Sequence, residues 1–287
     1  MVVKRVDVGV TGLEKLVSGG LPEGSPILIS GSPGTGKTLF GLQFLHHGVL
    51  CGEPGIYVTF EEPRESLVTA SENFGWNLEE AAKERKFAVM EYFDLGNEVY
   101  FSEMESMRAH LAELESRRKE VTLRDKAEEI DVSMADYQTR LKQIEEMVTE
   151  RRYTLTQHER EQQFVERLFT LVSTMGAKRL VIDSLSAYAI YDESREAIHR
   201  FVRRIRDLGT TTLLISELPK NSAGLSRDGV SEFVCDGIIL FSLERTKEAT
   251  FRKIRVEKMR HTKIDGAERF LWFTDTGLEV RDRPQEI

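Results

Sequence analysis

Neither glycine nor proline occurs between Gly96 and Gly176, a stretch of roughly 80 positions where average usage would place about ten. A segment without either residue cannot be a string of tight turns. Cysteine is nearly as scarce. Cys51 and Cys235 form no CxxC pair and have no histidine cluster near them, which excludes a disulfide framework or zinc site and points to a reducing, cytoplasmic setting. No apolar run approaches the roughly 18 residues that span a membrane. The start, Met1 to Asp7, is short and mixed in polarity, so no signal peptide is expected. Net charge is −8, which argues against a protein that coats nucleic acid over its whole surface but leaves room for a local basic loop.

What fills the breaker-free stretch is Glu, Arg, Lys, Leu and Met in two heptad-like series. Met104, Met107, Leu111, Leu114 and Val121 form one, and Met134, Tyr137, Leu141, Ile144, Val148 and Leu155 the other. They are out of phase, so a break lies between Val121 and Ser133. The expectation is an antiparallel coiled-coil hairpin over residues 101–155, about 40 Å long at 1.5 Å per residue. Strand signals before and after it belong in one sheet, so the chain must go out and come back.

Elsewhere apolar strands alternate with helices. Strands are expected at 27–30, 56–60, 87–93, 180–183 and 212–216, with helices at 37–48, 63–74, 77 onward, 156–176 and 194–208. This pattern specifies an α/β fold with a mostly parallel sheet covered on both faces. After Gly237 short strands at 237–242, 251–258 and 269–273 follow without helices, suggesting antiparallel hairpins at the sheet edge. At 287 residues the chain can bury one core plus an appendage.

The chemistry starts at Gly31-Ser32-Pro33-Gly34-Thr35-Gly36-Lys37-Thr38, between a strand and a helix. Glycines there let backbone N–H groups turn inward around phosphate oxygens, and the helix start adds its positive end. The spacing places Lys37 to reach β- and γ-phosphates and Thr38 to ligate Mg²⁺. Asp183 ends an apolar strand, where a metal-side acid belongs, although a plain helix cap reads the same way alone. Glu61-Glu62 also end a strand; they could orient and deprotonate a water, or merely favour the dipole of the next helix. Lys258 and Arg260 share one face of a late strand, either to stabilise phosphate charge or as solvated edge cations. The polar loop 219–232 balances Lys220 and Arg227 against Asp228 and Glu232. It could touch nucleic acid or a partner, or simply connect. No NKxD motif follows the fifth strand, which argues against a GTPase.

Taken in order, Gly12-Leu13, Gly19-Gly20-Leu21-Pro22-Glu23-Gly24, Gly31 to Thr38, Thr59-Phe60-Glu61-Glu62, Val181-Ile182-Asp183-Ser184, Glu232-Phe233-Val234-Cys235-Asp236-Gly237 and Lys258-Met259-Arg260 resemble a single KaiC-type domain of the RecA superfamily. The likeness spans 1–287 as one domain, apart from the hairpin. It implies a RecA-like P-loop fold that binds ATP and Mg²⁺ through Ser32 to Leu39 and Asp183, in a ring-shaped homo-hexamer with ATP between subunits. It matches Glu61 and Glu62 to the family's catalytic glutamate pair. It matches Lys258 and Arg260 to cations that reach the neighbouring subunit's γ-phosphate. The clock member of the family has two tandem domains and is phosphorylated on adjacent Ser-Thr residues. Here no repeat is visible and the corresponding positions are Glu232-Phe233, so neither a clock role nor autophosphorylation is implied. The expected function is an ATP-hydrolysing regulatory or signalling switch with a partner-binding coiled coil. Alternatives are a RadA-like, DNA-binding recombination-associated ATPase and an interaction protein that binds ATP structurally.

Overall fold

A computed structural model describes residues 3–92, 98–120, 124–154, 157–189, 194–219, 224–246 and 249–284. The chain opens with β1 (Arg5–Val6), α1 (Leu13–Leu16), β2 (Leu21–Pro22), β3 (Pro26–Gly31), α2 (Lys37–Leu50) and β4 (Gly55–Thr59). Then come α3 (Arg64–Glu72), α4 (Leu78–Lys83), β5 (Phe87–Glu91), α5 (Glu98–Glu120), α6 (Arg124–Thr154) and α7 (Gln157–Met175). It continues with β6 (Arg179–Asp183), α8 (Leu185–Ala189), α9 (Arg195–Asp207), β7 (Thr211–Glu217) and α10 (Ser231–Val234). It closes with β8 (Gly237–Arg245), β9 (Thr250–Met259), β10 (Arg269–Thr274) and β11 (Gly277–Arg281). Contacts divide it into two units, Met1–Tyr92 with Val165–Ile287, and Phe93–Phe164.

The first unit is built on a nine-stranded sheet in the order β11-β10-β9-β8-β3-β7-β6-β4-β5. From β8 to β5 neighbouring strands are parallel; β9, β10 and β11 continue antiparallel. The fold is α/β, mostly parallel with antiparallel C-terminal strands, and the expected strands fall in this sheet. β3, β4 and β6 consist almost wholly of buried residues, as strands covered on both faces must. The parallel register brings Gly31, Thr59, Asp183 and Glu217 to one edge, where the carboxyl ends of parallel strands meet ligands.

α2 buries Phe40, Leu42, Phe44 and Leu45, and Phe40 meets Phe241 edge-on with centroids 5.3 Å apart. Gly41 lets this helix lie close to the sheet, since a Cβ there would sit 2.9 Å from Val181. Ser194 caps α9 by accepting from the Ala197 N–H. At Asn77 half of a capping box forms: its Oδ1 accepts from the Glu80 N–H at 3.0 Å. The Glu80 carboxylate takes the Asn77 side-chain amide at 2.9 Å, not the backbone. The expected cap at Thr156 lies outside the described residues. β1, β2, α1, α8, α10 and β11 were not expected. Each is short or held by long-range contacts.

The second unit contains α5 and α6, which run antiparallel. Arg108 pairs with Glu145 at 3.1 Å, Arg118 with Asp131 at 2.7 Å, and the His110 and Tyr137 rings lie 5.1 Å apart. Partner numbers fall as the first helix advances. Met107, Leu111, Leu114 and Ile144 are buried, with Tyr137 and Leu141 partly so. The side chains of Met104, Val121, Val148 and Leu155 lie outside the description. The two ion pairs are exposed and contribute little individually, so the apolar stripe carries the pairing.

One buried polar side chain joins both ends of the chain to α2. Gln43 Nε2 donates to the carbonyls of Gly9 (2.6 Å) and Leu278 (3.2 Å), while its Oε1 accepts from the Leu278 N–H (2.6 Å). Gln43→Leu removes all three bonds and strands buried backbone groups. It should lower unfolding stability by about 2–4 kcal/mol, seen as an earlier urea midpoint; an unmoved midpoint would contradict this account of the clamp.

Candidate functional site

The glycine-rich loop leaves the buried end of β3 and enters α2. Gly34 (φ +80°) and Gly36 (φ +102°) occupy the left-handed region, which glycine adopts without steric cost. The start of α2 carries no side-chain cap, so its N–H groups remain available to an anion. Thr35 Oγ1 donates to the Ser32 carbonyl at 2.8 Å and Lys37 Nζ to the same oxygen at 3.0 Å. Lys37 is buried. Burial pushes its pKa down, and the carboxylates of Glu217 and Asp183 oppose that shift.

Asp183, at the end of β6, lies beside this loop. Its Oδ2 accepts from Thr38 Oγ1 at 2.8 Å and from Tyr57 OH at 2.6 Å. Burial raises its pKa against those two bonds and Lys37. Tyr57 on β4 is fully buried, and burial followed by the Asp183 charge holds its hydroxyl well above the ordinary range. A tyrosine inside Gly55-Ile56-Tyr57-Val58-Thr59 was the available signal, because a buried phenol needs a partner.

Glu61 and Glu62 follow β4. Glu62 is oriented from both ends: its N–H donates to Thr59 Oγ1, its carbonyl accepts from the same hydroxyl, and its Oε2 accepts from Ser66 Oγ at 3.1 Å. Glu61 has a raised pKa, first through burial and then through Glu217, Asp183 and Glu62, with Arg227 pulling the other way. Glu217, at the end of β7, went unnoticed in the sequence because a lone Glu after an apolar strand carries no pattern.

A cavity of ≈ 460 Å³ opens here. Its lining includes the loop residues Pro33, Gly34, Gly36, Lys37, Thr38 and Leu39, together with Glu62, Asn73, Phe74, Glu217 and Phe273. Thr38 Oγ1 and the Asp183 carboxylate are hard oxygen ligands side by side, a donor set that suits Mg²⁺ completed by phosphate oxygens and water. Among the described residues no three His, Cys, Asp or Glu side chains are grouped to hold a metal by themselves.

Lys258 and Arg260 are not in this cavity. Lys258 pairs with Ile238, which pairs with Leu28, and Met259 pairs with Gly237, opposite Ile27. Both cations therefore sit toward the start of β3, about 10–17 Å along the strands from Gly31. Lys258 Nζ donates to the carbonyls of Glu232 (3.0 Å) and Cys235 (2.7 Å). Arg260 and Arg206 each reach Asp236 Oδ1 at 3.0 Å. Lys220, in the polar loop, lies outside the described residues.

The KaiC ATPase family model matches residues 6–121 and 114–285. A UPF0273 protein of Thermotoga maritima is 30% identical over 280 residues, covering 97% of this chain and 96% of that one. A circadian clock oscillator protein KaiC of Prochlorococcus marinus is 28% identical over 268 residues, 91% of this chain but 42% of that protein. Among solved structures, a KaiC-like protein of the hyperthermophilic archaeon Pyrococcus horikoshii OT3 superposes with a TM-score of 0.69 at 27% identity. That match covers 97% of this chain and 99% of the other.

The raised Asp183 pKa has a stability consequence. The folded chain keeps a proton there that the unfolded chain releases, so this contribution is full below the unfolded carboxyl value and is lost as pH rises through the folded one. Asp183→Asn retains an acceptor for Thr38 and Tyr57 without the charge. In the absence of Mg²⁺ and nucleotide it should melt above the wild-type chain at about pH 7.5, the gap closing toward about pH 4. Equal melting temperatures at both would contradict the burial account.

Proposed function

Because the chain belongs to the KaiC family of RecA-superfamily ATPases, we propose that it binds and hydrolyses ATP as a ring-forming regulatory switch. One observation carries this reading: Lys37, Thr38, Asp183 and the Glu61-Glu62 pair converge on the edge of the sheet where the glycine-rich loop opens. Backbone N–H groups of Ser32 to Leu39 cradle the phosphates, and Lys37 exchanges the Ser32 carbonyl for β- and γ-phosphate oxygens. Thr38 and Asp183 would hold Mg²⁺, which would supply charge neutralisation to the phosphates.

Glu61 and Glu62 orient and deprotonate the attacking water. A raised pKa makes Glu61 a stronger base than an ordinary carboxylate. Turnover should accordingly fall on the acid side as Glu61 takes up its proton, and Glu61→Gln should remove that limb with most of the rate.

Lys258 and Arg260 cannot serve their own chain's phosphates from the start of β3, which supports their acting on a neighbour's ATP in a homo-hexamer. The single domain spans 1–287, and residues 101–155 are an inserted coiled-coil arm for a protein partner. A reducing, cytoplasmic setting suits the two free thiols. No helix among the described residues is long and apolar enough to cross a membrane. The balanced charge of loop 219–232 gives no support to DNA binding.

Lys37→Ala should abolish phosphate release; turnover that survived it would sink the assignment. Arg260→Ala should slow turnover, and mixing it with Lys37→Ala subunits should restore part of the rate. The interface whose loop comes from an Arg260→Ala subunit and whose finger comes from a Lys37→Ala subunit is then intact, while the reverse interface lacks both. Absence of any recovery would count against action in trans. Deleting residues 103–153 should leave the number of subunits and the ATPase rate unchanged while abolishing partner capture. Loss of the ring would instead assign the arm to assembly.

A further inference from the structure

Arg252 stands on β9, 218 residues beyond the glycine-rich loop, yet its Nε–H donates to the Gly34 carbonyl at 3.1 Å. Its guanidinium also lies over the Phe273 ring, 4.4 Å from the centroid. That ring abuts the loop in turn: a Cβ on Gly36 would come within 2.8 Å of Phe273 Cζ. The antiparallel edge of the sheet thus braces the loop at two of its glycines.

We propose that Arg252 is a positioning residue for phosphate binding, holding the Gly34–Thr35 peptide so that its N–H faces the anion. In a planar trans peptide the C=O and the following N–H point in opposite directions. Anchoring the Gly34 carbonyl outward on Arg252 therefore turns the Thr35 N–H inward. Gly34, at φ +80°, has no Cβ to hold that orientation, and an unheld glycine peptide loses entropy when it orders around a ligand. On the opposite side the Ser32 carbonyl is already pinned by Thr35 and Lys37. Arg252 supplies the missing outer pin. Arginine suits the task, since one planar group both donates to the carbonyl and stacks on the ring; lysine keeps the charge without that fixed fork.

The inference rests on the loop being the ATP site, and the test separates the two. Full-length wild-type, Arg252→Ala, Arg252→Lys and Lys37→Ala chains would be titrated calorimetrically with ADP and with ATP, and their hydrolysis followed. Arg252→Ala should weaken ADP and ATP alike by about tenfold, the worth of one charge-assisted hydrogen bond. The loss should appear in KM with kcat changed by less than about twofold. Arg252→Lys should recover only part. Unchanged affinity in Arg252→Ala while Lys37→Ala abolishes binding would overturn the role of Arg252 alone. So would a loss confined to ATP, which would mark a γ-phosphate contact, or full recovery by Arg252→Lys, which would mark a bulk charge effect. Undiminished binding in Lys37→Ala would overturn the ATP-site reading itself.

Discussion

Asp183 binds three elements with one oxygen. Its Oδ2 accepts from Thr38 at the start of α2 and from Tyr57 inside β4, while its own strand lies between β4 and β7. Burying a carboxylate is costly unless it is hydrogen-bonded and paired. The two hydroxyls and nearby Lys37 oppose the upward push of burial on its pKa. Lys37 carries the complementary burden, a buried ammonium held against two carboxylates.

The rest of the first unit keeps these groups in register. Parallel pairing brings the ends of β3, β4, β6 and β7 level, so that loop, Asp183 and glutamates share one edge. The antiparallel strands after Gly237 brace the same edge from outside, through Arg252 and Phe273 against the loop. Gln43 fastens the last strand to the helix that the loop begins. The C-terminal hairpins are thus part of the frame around the glycine-rich loop. Lys258 and Arg260, at the other end of β9, fit the proposed division of one ATP site between two subunits. In the single chain they are engaged by Asp236 and the carbonyls of Glu232 and Cys235.

Features carried by contiguous residues were legible from the start. The glycine-rich loop is local geometry, since its turn, its lysine and its helix start follow one another within eight positions. Buried parallel strands announce themselves as near-continuous apolar runs, and the lack of Gly and Pro together with the heptad spacing marked the long helices. Asp183, Glu61 and Glu62 could be nominated because each ends such a run. Glu217 ends an apolar run too, but a lone Glu there matches no motif. Tyr57 offered only a phenol inside an apolar strand, which calls for a partner without naming it. Nothing beside Arg252 distinguishes it from other strand residues.

The amino-acid sequence by itself determined the α/β class, the glycine-rich loop between strand and helix, and the acids at strand ends. Propensity, hydrophobic period and glycine stereochemistry all act over a few residues. Tertiary structure decided which of those strand ends stand together. It also set Tyr57 and Thr38 on Asp183, 126 and 145 residues away, and Arg252 on Gly34. Strand order and register choose such partners, and an apolar run does not encode which neighbour it will pair with.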